Sequence, residues 1–203
     1  MIGSAGTLFP TAPELPEGFA YQANFLSMQE ESELLESICS LAFQPVDFQG
    51  YTAKRRAVQY GLAYDFSTRQ AATTNPFPDF LLPLRARAAH FAQMQPDDLI
   101  EGIVIEYVPG APMGWHRDAP QFGTVVGISL ANDAQMRFRP YVASRKPGER
   151  LKSVSLTLER GSIYVMRGPA RWRFQHSVPP VPALRYSITF RTLRSKETKA
   201  DAA

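Results

Sequence analysis

The triplet His116-Arg117-Asp118 and the later His176 offer two imidazoles and one carboxylate, in a chain with only three histidines. A His and an Asp two apart on an extended strand point to the same side, and a remote second His completes one face of an octahedral ion. Such a face leaves three positions open, which suits non-haem Fe(II) able to take a chelating co-substrate and O₂. Arg185 and Arg191 are six apart and so share one strand face, where they could grip the two carboxylates of a dicarboxylic acid. Ser187 and Thr189 fall on that same face, where small hydroxyl residues leave room for a ligand, while Tyr186, Ile188 and Phe190 take the opposite one.

Each piece alone is weak. An isolated His-x-Asp is commonly a solvated turn, and alternating polar residues can simply face water. Their joint occurrence in one strand-rich segment carries the reading, which is that of a 2-oxoglutarate-dependent oxygenase using Fe(II) and O₂. Tyr107, in Tyr107-Val108-Pro109-Gly110, either donates a hydrogen bond to a co-substrate carboxylate or packs as an ordinary aromatic. His90 lies in an arginine-rich helical stretch and reads as a surface or packing residue.

The elements that must position these groups can be traced from periodicity. Ser27-Met28-Gln29-Glu30 is a capping-box pattern opening a helix through about Ser40, with Leu34, Leu35, Ile38 and Leu41 as its apolar stripe. Pro76 and Pro78 precede a second helical stretch from about Asp79 to Ala92. Between the two, Ala53 to Phe66 reads as extended, turn-punctuated chain. From about Gly102 the period becomes that of strands: Ile103 to Val108, Thr124 to Leu130, Gln135 to Arg139, Ser153 to Leu158, Ser162 to Met166, Arg173 to Ser177 and Leu184 to Leu193. Such a run predicts two packed sheets, a double-stranded β-helix or jelly roll in a mainly β, α+β chain, with the N-terminal helices packed on one sheet. One domain over 1–203 is expected: an irregular lead-in at 1–18, helices and extended chain at 19–100, the jelly-roll core at 101–194 and a tail at 195–203. Arg145 to Arg150 reads as a polar hairpin loop, either solvated or touching a polyanion.

An apolar content of 44% is enough for a real core. The net charge of +3 permits an anionic partner but is also ordinary surface composition. A single cysteine, Cys39, excludes an intrachain disulfide and suits a reducing compartment; it is expected to be a buried thiol. Neither a secretory signal pattern nor a run approaching the ~18 apolar residues of a membrane span is present, so a cytoplasmic monomer with no membrane partner is expected.

Taken together, Tyr107-Val108-Pro109-Gly110, His116-Arg117-Asp118, His176 and Arg185-x-Ser187-x-Thr189-x-Arg191 resemble the motifs of AlkB-type 2-oxoglutarate- and Fe(II)-dependent dioxygenases. The last motif usually reads Arg-x-Asn-x-Thr-x-Arg in that family. The resemblance is specific over about residues 55 to 194. It implies that His116, Asp118 and His176 hold iron, that Arg185 pairs with the distal carboxylate of 2-oxoglutarate, and that Arg191 lies near its keto-acid end with Tyr107 assisting. Three positions depart from the pattern. Ile105 and Ser187 stand where the family has Asn, and Pro120 stands where some members place an acidic residue that reads the damaged base.

The activity implied is oxidative dealkylation of alkylated nucleic-acid bases, such as N1-methyladenine or N3-methylcytosine in DNA repair, releasing succinate, CO₂ and formaldehyde. An enzyme that acts on a base must extrude it or take a single strand, using aromatic walls and cationic phosphate contacts. Arg55, Arg56, Tyr60 and Tyr64-Asp65-Phe66 are the candidates, since the family places a nucleotide-recognition lid there; Trp115, beside the metal ligand, and Trp172 are either walls or core, and Arg139, Arg171 and Arg173 either contact a backbone or are solvated or locally paired. The partner would be single- or double-stranded DNA, or RNA. The same chemistry on RNA, protein or a small molecule is the alternative, and a metal-free jelly-roll binding module is the reading from a different class.

Overall fold

The computed structural model describes residues 14–48, 51–65, 70–144 and 150–194. Among these, in chain order, are β1 (Phe19–Gln22), α1 (Met28–Cys39), β2 (Gln44–Phe48), β3 (Tyr51–Asp65), β4 (Gln70–Thr73), α2 (Leu82–Phe91), β5 (Leu99–Tyr107) and β6 (Met113–His116). There follow β7 (Phe122–Leu130), β8 (Ala134–Pro140), β9 (Val154–Leu158), β10 (Ser162–Met166), α3 (Gly168–Trp172), β11 (Phe174–Val178) and β12 (Arg185–Leu193). The expected lead-in before residue 14, Phe66, the loop at 145–149 and the tail at 195–203 lie outside the described residues.

All seven strands read from the sequence are present, and they form the two antiparallel sheets of a jelly roll. The larger sheet runs β1-β10-β7-β12-β5-β3-β2, with β4 paired to β3, and the smaller runs β6-β11-β8-β9. Strand β12 is central. It pairs with β5 through Arg185↔Tyr107 to Arg191↔Glu101, and with β7 through Ser187↔Ser129 and Thr189↔Gly127.

Alternation along β12 divides the molecule into two environments. Tyr186, Ile188 and Phe190 point to the helix layer and pack with Val104, Val126, Ile128, Ile38 of α1, and Leu84, Ala88 and Ala89 of α2. Burying one such Ile or Phe side chain stabilises the fold by about 1.5–3 kcal/mol. Arg185, Ser187, Thr189 and Arg191 point between the sheets. There, Ile105, Tyr107, Ala111 and Val178 form one apolar cluster, and Val125, Met136, Phe138, Leu158 and Met166 form another.

Helix α1 begins as its sequence predicts. Ser27 Oγ accepts from the Glu30 amide at 3.2 Å and Glu30 Oε2 accepts from the Ser27 amide at 2.8 Å, satisfying two amides that the helix itself cannot. The helix is tied to the sheet by Glu31, a buried carboxylate that accepts from the Ala131 amide at 2.7 Å and from Arg160 Nε at 2.9 Å. Ala131 turns the chain from β7 to β8 at a φ of 70°, a conformation costly for a residue with a Cβ, and the Glu31 contact helps hold it.

Three expectations are corrected at this level. The segment 53–66, read as extended and turn-punctuated, is extended but not interrupted by turns over its described residues, where it belongs to the long strand β3, paired to β5 from Arg56↔Glu106 to Gly61↔Glu101. Region 19–100 thus contributes strands β1 to β4 as well as helices. Cys39 is exposed rather than buried, because it ends α1 one position past the inward-facing Ile38. No helix among the described residues is long and apolar enough to cross a membrane.

Candidate active site

His116 ends β6, and its Cα is paired across the smaller sheet with that of His176 on β11. The two imidazole rings stand 4.2 Å apart between centroids. Asp118 lies just beyond β6, in the short connection to β7, so it is loop geometry and not strand alternation that brings its carboxylate back to the histidines. One ligand atom from each of His116, Asp118 and His176 lies within 4.8 Å of the others. His116 Nδ1 is 2.9 Å from the Gly114 carbonyl. A carbonyl only accepts, so Nδ1 carries the proton and Nε2 keeps its lone pair for an ion.

The Asp118 carboxylate is divided between two tasks. Oδ1 accepts from Arg191 Nε at 2.9 Å and lies 2.8 Å from its Nη2. Oδ2 is buried without a hydrogen-bond partner, 3.6 Å from His176 Nε2. A buried carboxylate oxygen left bare beside two neutral imidazoles fits a cation bound at that point.

The protonation states agree with this geometry. Burial, and then the neighbouring His116, push the His176 imidazole down to about 3, and burial also lowers His116 despite Asp118 nearby. Burial would raise Asp118, but Arg191, the two histidines and Arg171 outweigh it and hold the carboxylate far below its ordinary range. All three groups are therefore in their metal-binding forms at neutral pH.

The loop bearing Asp118 is pinned from behind. Arg171 of α3 is buried and donates from Nη2 to the carbonyls of Asp118 (3.2 Å), Ala119 (2.8 Å) and Phe122 (2.9 Å), and from Nε to Gly123 (3.0 Å). Its guanidinium lies 4.2 Å from the centre of the Trp172 ring, which is itself buried. Trp172 thus takes the core alternative and Arg171 the locally bonded one, in place of a pocket wall and a backbone contact.

On the inner face of the larger sheet, Arg185 is 2% exposed. Its Nε donates to Ser129 Oγ at 3.1 Å, its guanidinium sits 4.9 Å from the Tyr107 ring centre, and Nη1 is buried with no partner. An unpaired guanidinium nitrogen of this kind fits a carboxylate supplied from outside the chain. Arg191 differs. Besides Asp118 it donates from Nη1 to Glu101 Oε2 at 2.6 Å, so both carboxylates it holds belong to the protein. Ser187 and Thr189 are buried between the two arginines.

Of the residues expected to bind substrate, β3 brings only part toward the site. Successive side chains on a strand alternate, so Arg55 and Arg56 cannot both face it. Arg55 is on the side of Ala57, which packs with Ile105 and Tyr107, and its charge acts on His116. Arg56 and Tyr60 take the helix side, where Arg56 pairs with Glu106 at 2.7 Å and Tyr60 is buried near Phe77. Trp115 likewise faces away from its neighbour His116, over Arg137 and Arg139 on the outer face of the smaller sheet. Tyr64 and Asp65 lie where β3 pairs with β4, and their side chains are outside the described residues.

Three inner-face residues escaped the sequence reading: Glu101, Ser129 and Tyr164. Tyr164 of β10 pairs with Gly127, whose missing side chain leaves the space its phenol fills. Burial raises its hydroxyl, with Asp118, Tyr107, Arg185 and Arg191 all close enough to influence it. The available signal was a single large polar residue, or a single carboxylate, at an inward-facing position of an otherwise apolar strand.

Comparison with known proteins agrees with this site. Residues 18–191 match the family model of the 2OG-Fe(II) oxygenase superfamily. The bovine mitochondrial alpha-ketoglutarate-dependent dioxygenase alkB homolog 7 is 35% identical over 97 residues, covering 46% of this chain and 40% of that protein. The RNA demethylase ALKBH9B of Arabidopsis thaliana is 24% identical over 150 residues, covering 68% of this chain and 30% of that protein. The chain thus spans less than half the length of these curated relatives. Among solved structures, OsALKBH1 superposes with a TM-score of 0.64 at 16% identity, covering 90% of this chain and all of that one. A Trichoplax adhaerens prolyl hydroxylase, solved with a hypoxia inducible factor peptide, superposes at 0.61 and 16% identity, covering 92% and 87%. The chain belongs to the 2OG-Fe(II) oxygenase superfamily, and its motifs and relatives are of the AlkB type.

Proposed function

We propose that this member of the superfamily catalyses Fe(II)- and 2-oxoglutarate-dependent oxidative dealkylation of an alkylated nucleic-acid base, with DNA lesions such as N1-methyladenine or N3-methylcytosine as substrates. His116, Asp118 and His176 would hold the iron, and Arg185, with Tyr107 beside it, would take the distal carboxylate of the co-substrate. Iron, 2-oxoglutarate and O₂ supply the oxidation of an alkyl carbon attached to nitrogen, giving succinate, CO₂ and formaldehyde. The chain would contribute three ligands that leave further coordination positions open, and a cation that orients the co-substrate. The observation that carries the reading is the pair of bare buried atoms, Asp118 Oδ2 and Arg185 Nη1, one inviting a cation and the other an anion.

Support for a nucleic-acid substrate comes from Arg55, whose charge acts on His116, and from the name of the 24%-identical relative as an RNA demethylase. A reducing compartment such as the cytoplasm accords with the single cysteine. A protein or small-molecule substrate is the second reading. It is favoured by the orientation of Arg56, Tyr60 and Trp115, which removes three of the expected base and phosphate contacts.

The test loads the protein with Fe(II) anaerobically, admits O₂ with 2-oxoglutarate, and measures succinate and formaldehyde across methylated single-stranded DNA, duplex DNA, RNA and peptides. Formaldehyde from a methylated nucleic acid, with binding that weakens as salt rises, is expected. Turnover confined to peptides or small molecules would overturn the substrate assignment, and absence of succinate with every panel member would overturn the enzymatic one.

A further inference from the structure

Glu101 has no role in the chemistry described so far, yet it is 2% exposed and faces the site from β5. It sits directly across the ladder from Arg191 and holds Nη1 of that guanidinium at 2.6 Å. Arg191 in turn spends its other edge on Asp118 Oδ1. The chain Glu101–Arg191–Asp118 therefore runs from β5 to the carboxylate oxygen next to the bare Oδ2.

Asp118 paired to Arg191 alone would present a divalent cation with a ligand set of no net charge, since both histidines are neutral. Desolvated like charge is costly, and a buried site has to balance its ions internally. On the inner face the carboxylates of Asp118 and Glu101 match the guanidiniums of Arg185 and Arg191, and a divalent cation with a dianionic co-substrate preserves that match. Without the Glu101 charge one guanidinium is left over. Arg171 does not remove the need, because its own cation is solvated by four peptide carbonyls behind the loop and adds to the positive side.

We propose that Glu101 is a positioning residue of the metal pocket: through Arg191 it fixes the Asp118 carboxylate with Oδ2 turned to the ion, and its buried charge offsets one guanidinium of the loaded site. This rests on the metal and co-substrate reading given above. Burial raises the Glu101 carboxyl and the Arg191 contact opposes that rise. The short charge-assisted contact to a guanidinium keeps it ionised at neutral pH.

The test is direct binding of Co(II), a redox-stable probe, to the full chain under nitrogen, followed by 2-oxoglutarate binding at saturating Co(II). Glu101→Gln keeps the shape and removes the charge. Its Co(II) affinity should fall about tenfold or more, as expected for loss of a nearby charge in a medium of intermediate dielectric. Affinity for the dianion at saturating Co(II) should hold or rise. That opposite response is one a packing defect does not produce, and the Co(II) ligand-field absorption should shift as Asp118 loosens. Glu101→Asp, which keeps the charge, should retain Co(II) binding within about threefold of wild type, well inside the charge term. It serves equally if the Gln variant does not fold. Co(II) affinity unchanged in Glu101→Gln, parallel loss of both ligands with a lowered melting temperature, or failure of the Asp variant to bind would overturn the proposal. Wild-type protein that binds no Co(II) would instead overturn the metal reading itself.

Discussion

Replacing Arg185 by Met should make the ligand-free protein more stable while crippling co-substrate binding. The guanidinium is almost fully buried and its Nη1 has no partner, whereas the Met side chain follows the same course beside Tyr107 without a charge. An unsatisfied buried polar group costs about 1–3 kcal/mol, and more when charged. The change gives up one hydrogen bond to Ser129 Oγ, worth roughly 1 kcal/mol. The net gain should be about 1–2 kcal/mol, or a rise of about 2–8 °C in melting temperature for a chain of this size. With Co(II) bound, 2-oxoglutarate loses its charge-assisted partner and leaves a carboxylate unpaired in a buried site, an effect of about 3–5 kcal/mol. That is a fall of roughly two to nearly four orders of magnitude in affinity, while Co(II) binding holds or strengthens because a cation has left the site. Differential scanning calorimetry of the apo form and titration calorimetry of the Co(II) form measure the two halves. A destabilised apo protein that still binds 2-oxoglutarate normally would make Arg185 a structural cation and refute the assignment.

Asp118→Asn keeps the hydrogen bonds to Arg191 possible but removes the ligand charge, so Co(II) binding should be lost while the fold persists; retained binding would remove Asp118 from the site. Gly127→Ala places a Cβ against the ring and hydroxyl of Tyr164, an overpacking worth about 1–3 kcal/mol, and should weaken 2-oxoglutarate more than Co(II). Equal weakening would show that Tyr164 only fills space. Lowering pH should destabilise the apo fold. Between the ordinary histidine value of 6.5 and the folded His176 value of about 3, the unfolded chain binds a proton that the folded one refuses, so stability falls with falling pH by about 1.4 kcal/mol per unit for each such histidine. His116 is lowered and adds to this, while the raised Glu101 opposes it as one group against two. Chemical denaturation at pH 7 and pH 5 should show the drop, and equal stability would contradict the buried neutral imidazoles. Arg171→Lys removes the planar fork that serves four carbonyls, and should cost about 2–5 kcal/mol together with weaker Co(II) binding. Unperturbed Co(II) affinity would detach Arg171 from the ligand loop.

Much of this site was legible because the chemistry lies on elements with a strict period. Alternation in β12 separated Arg185, Ser187, Thr189 and Arg191 from Tyr186, Ile188 and Phe190 without coordinates, and the structure places the two sets on opposite faces. The same rule applied to β3 separates Arg55 from Arg56 and Tyr60, and applied to β6 it separates His116 from Trp115. Those residues were grouped by composition instead, which is why three of them turn away. Pairing partners were not legible. Nothing local to Glu101 says that its neighbour across the ladder is Arg191, and nothing in Arg171 says that its donors meet the loop of Asp118, fifty-odd residues earlier. The four-residue strands β1, β4 and β6 are too short to show a period, and β2, as long as the legible β9, β10 and β11, is interrupted by Pro45.

The central place of β12 between β5 and β7 has a consequence for how such a chain can change. A slip of one residue in that strand would turn its two arginines into the helix layer and thrust Tyr186, Ile188 and Phe190 among His116, Asp118 and His176, so a mispaired molecule would lose its apolar core and its candidate site at one stroke.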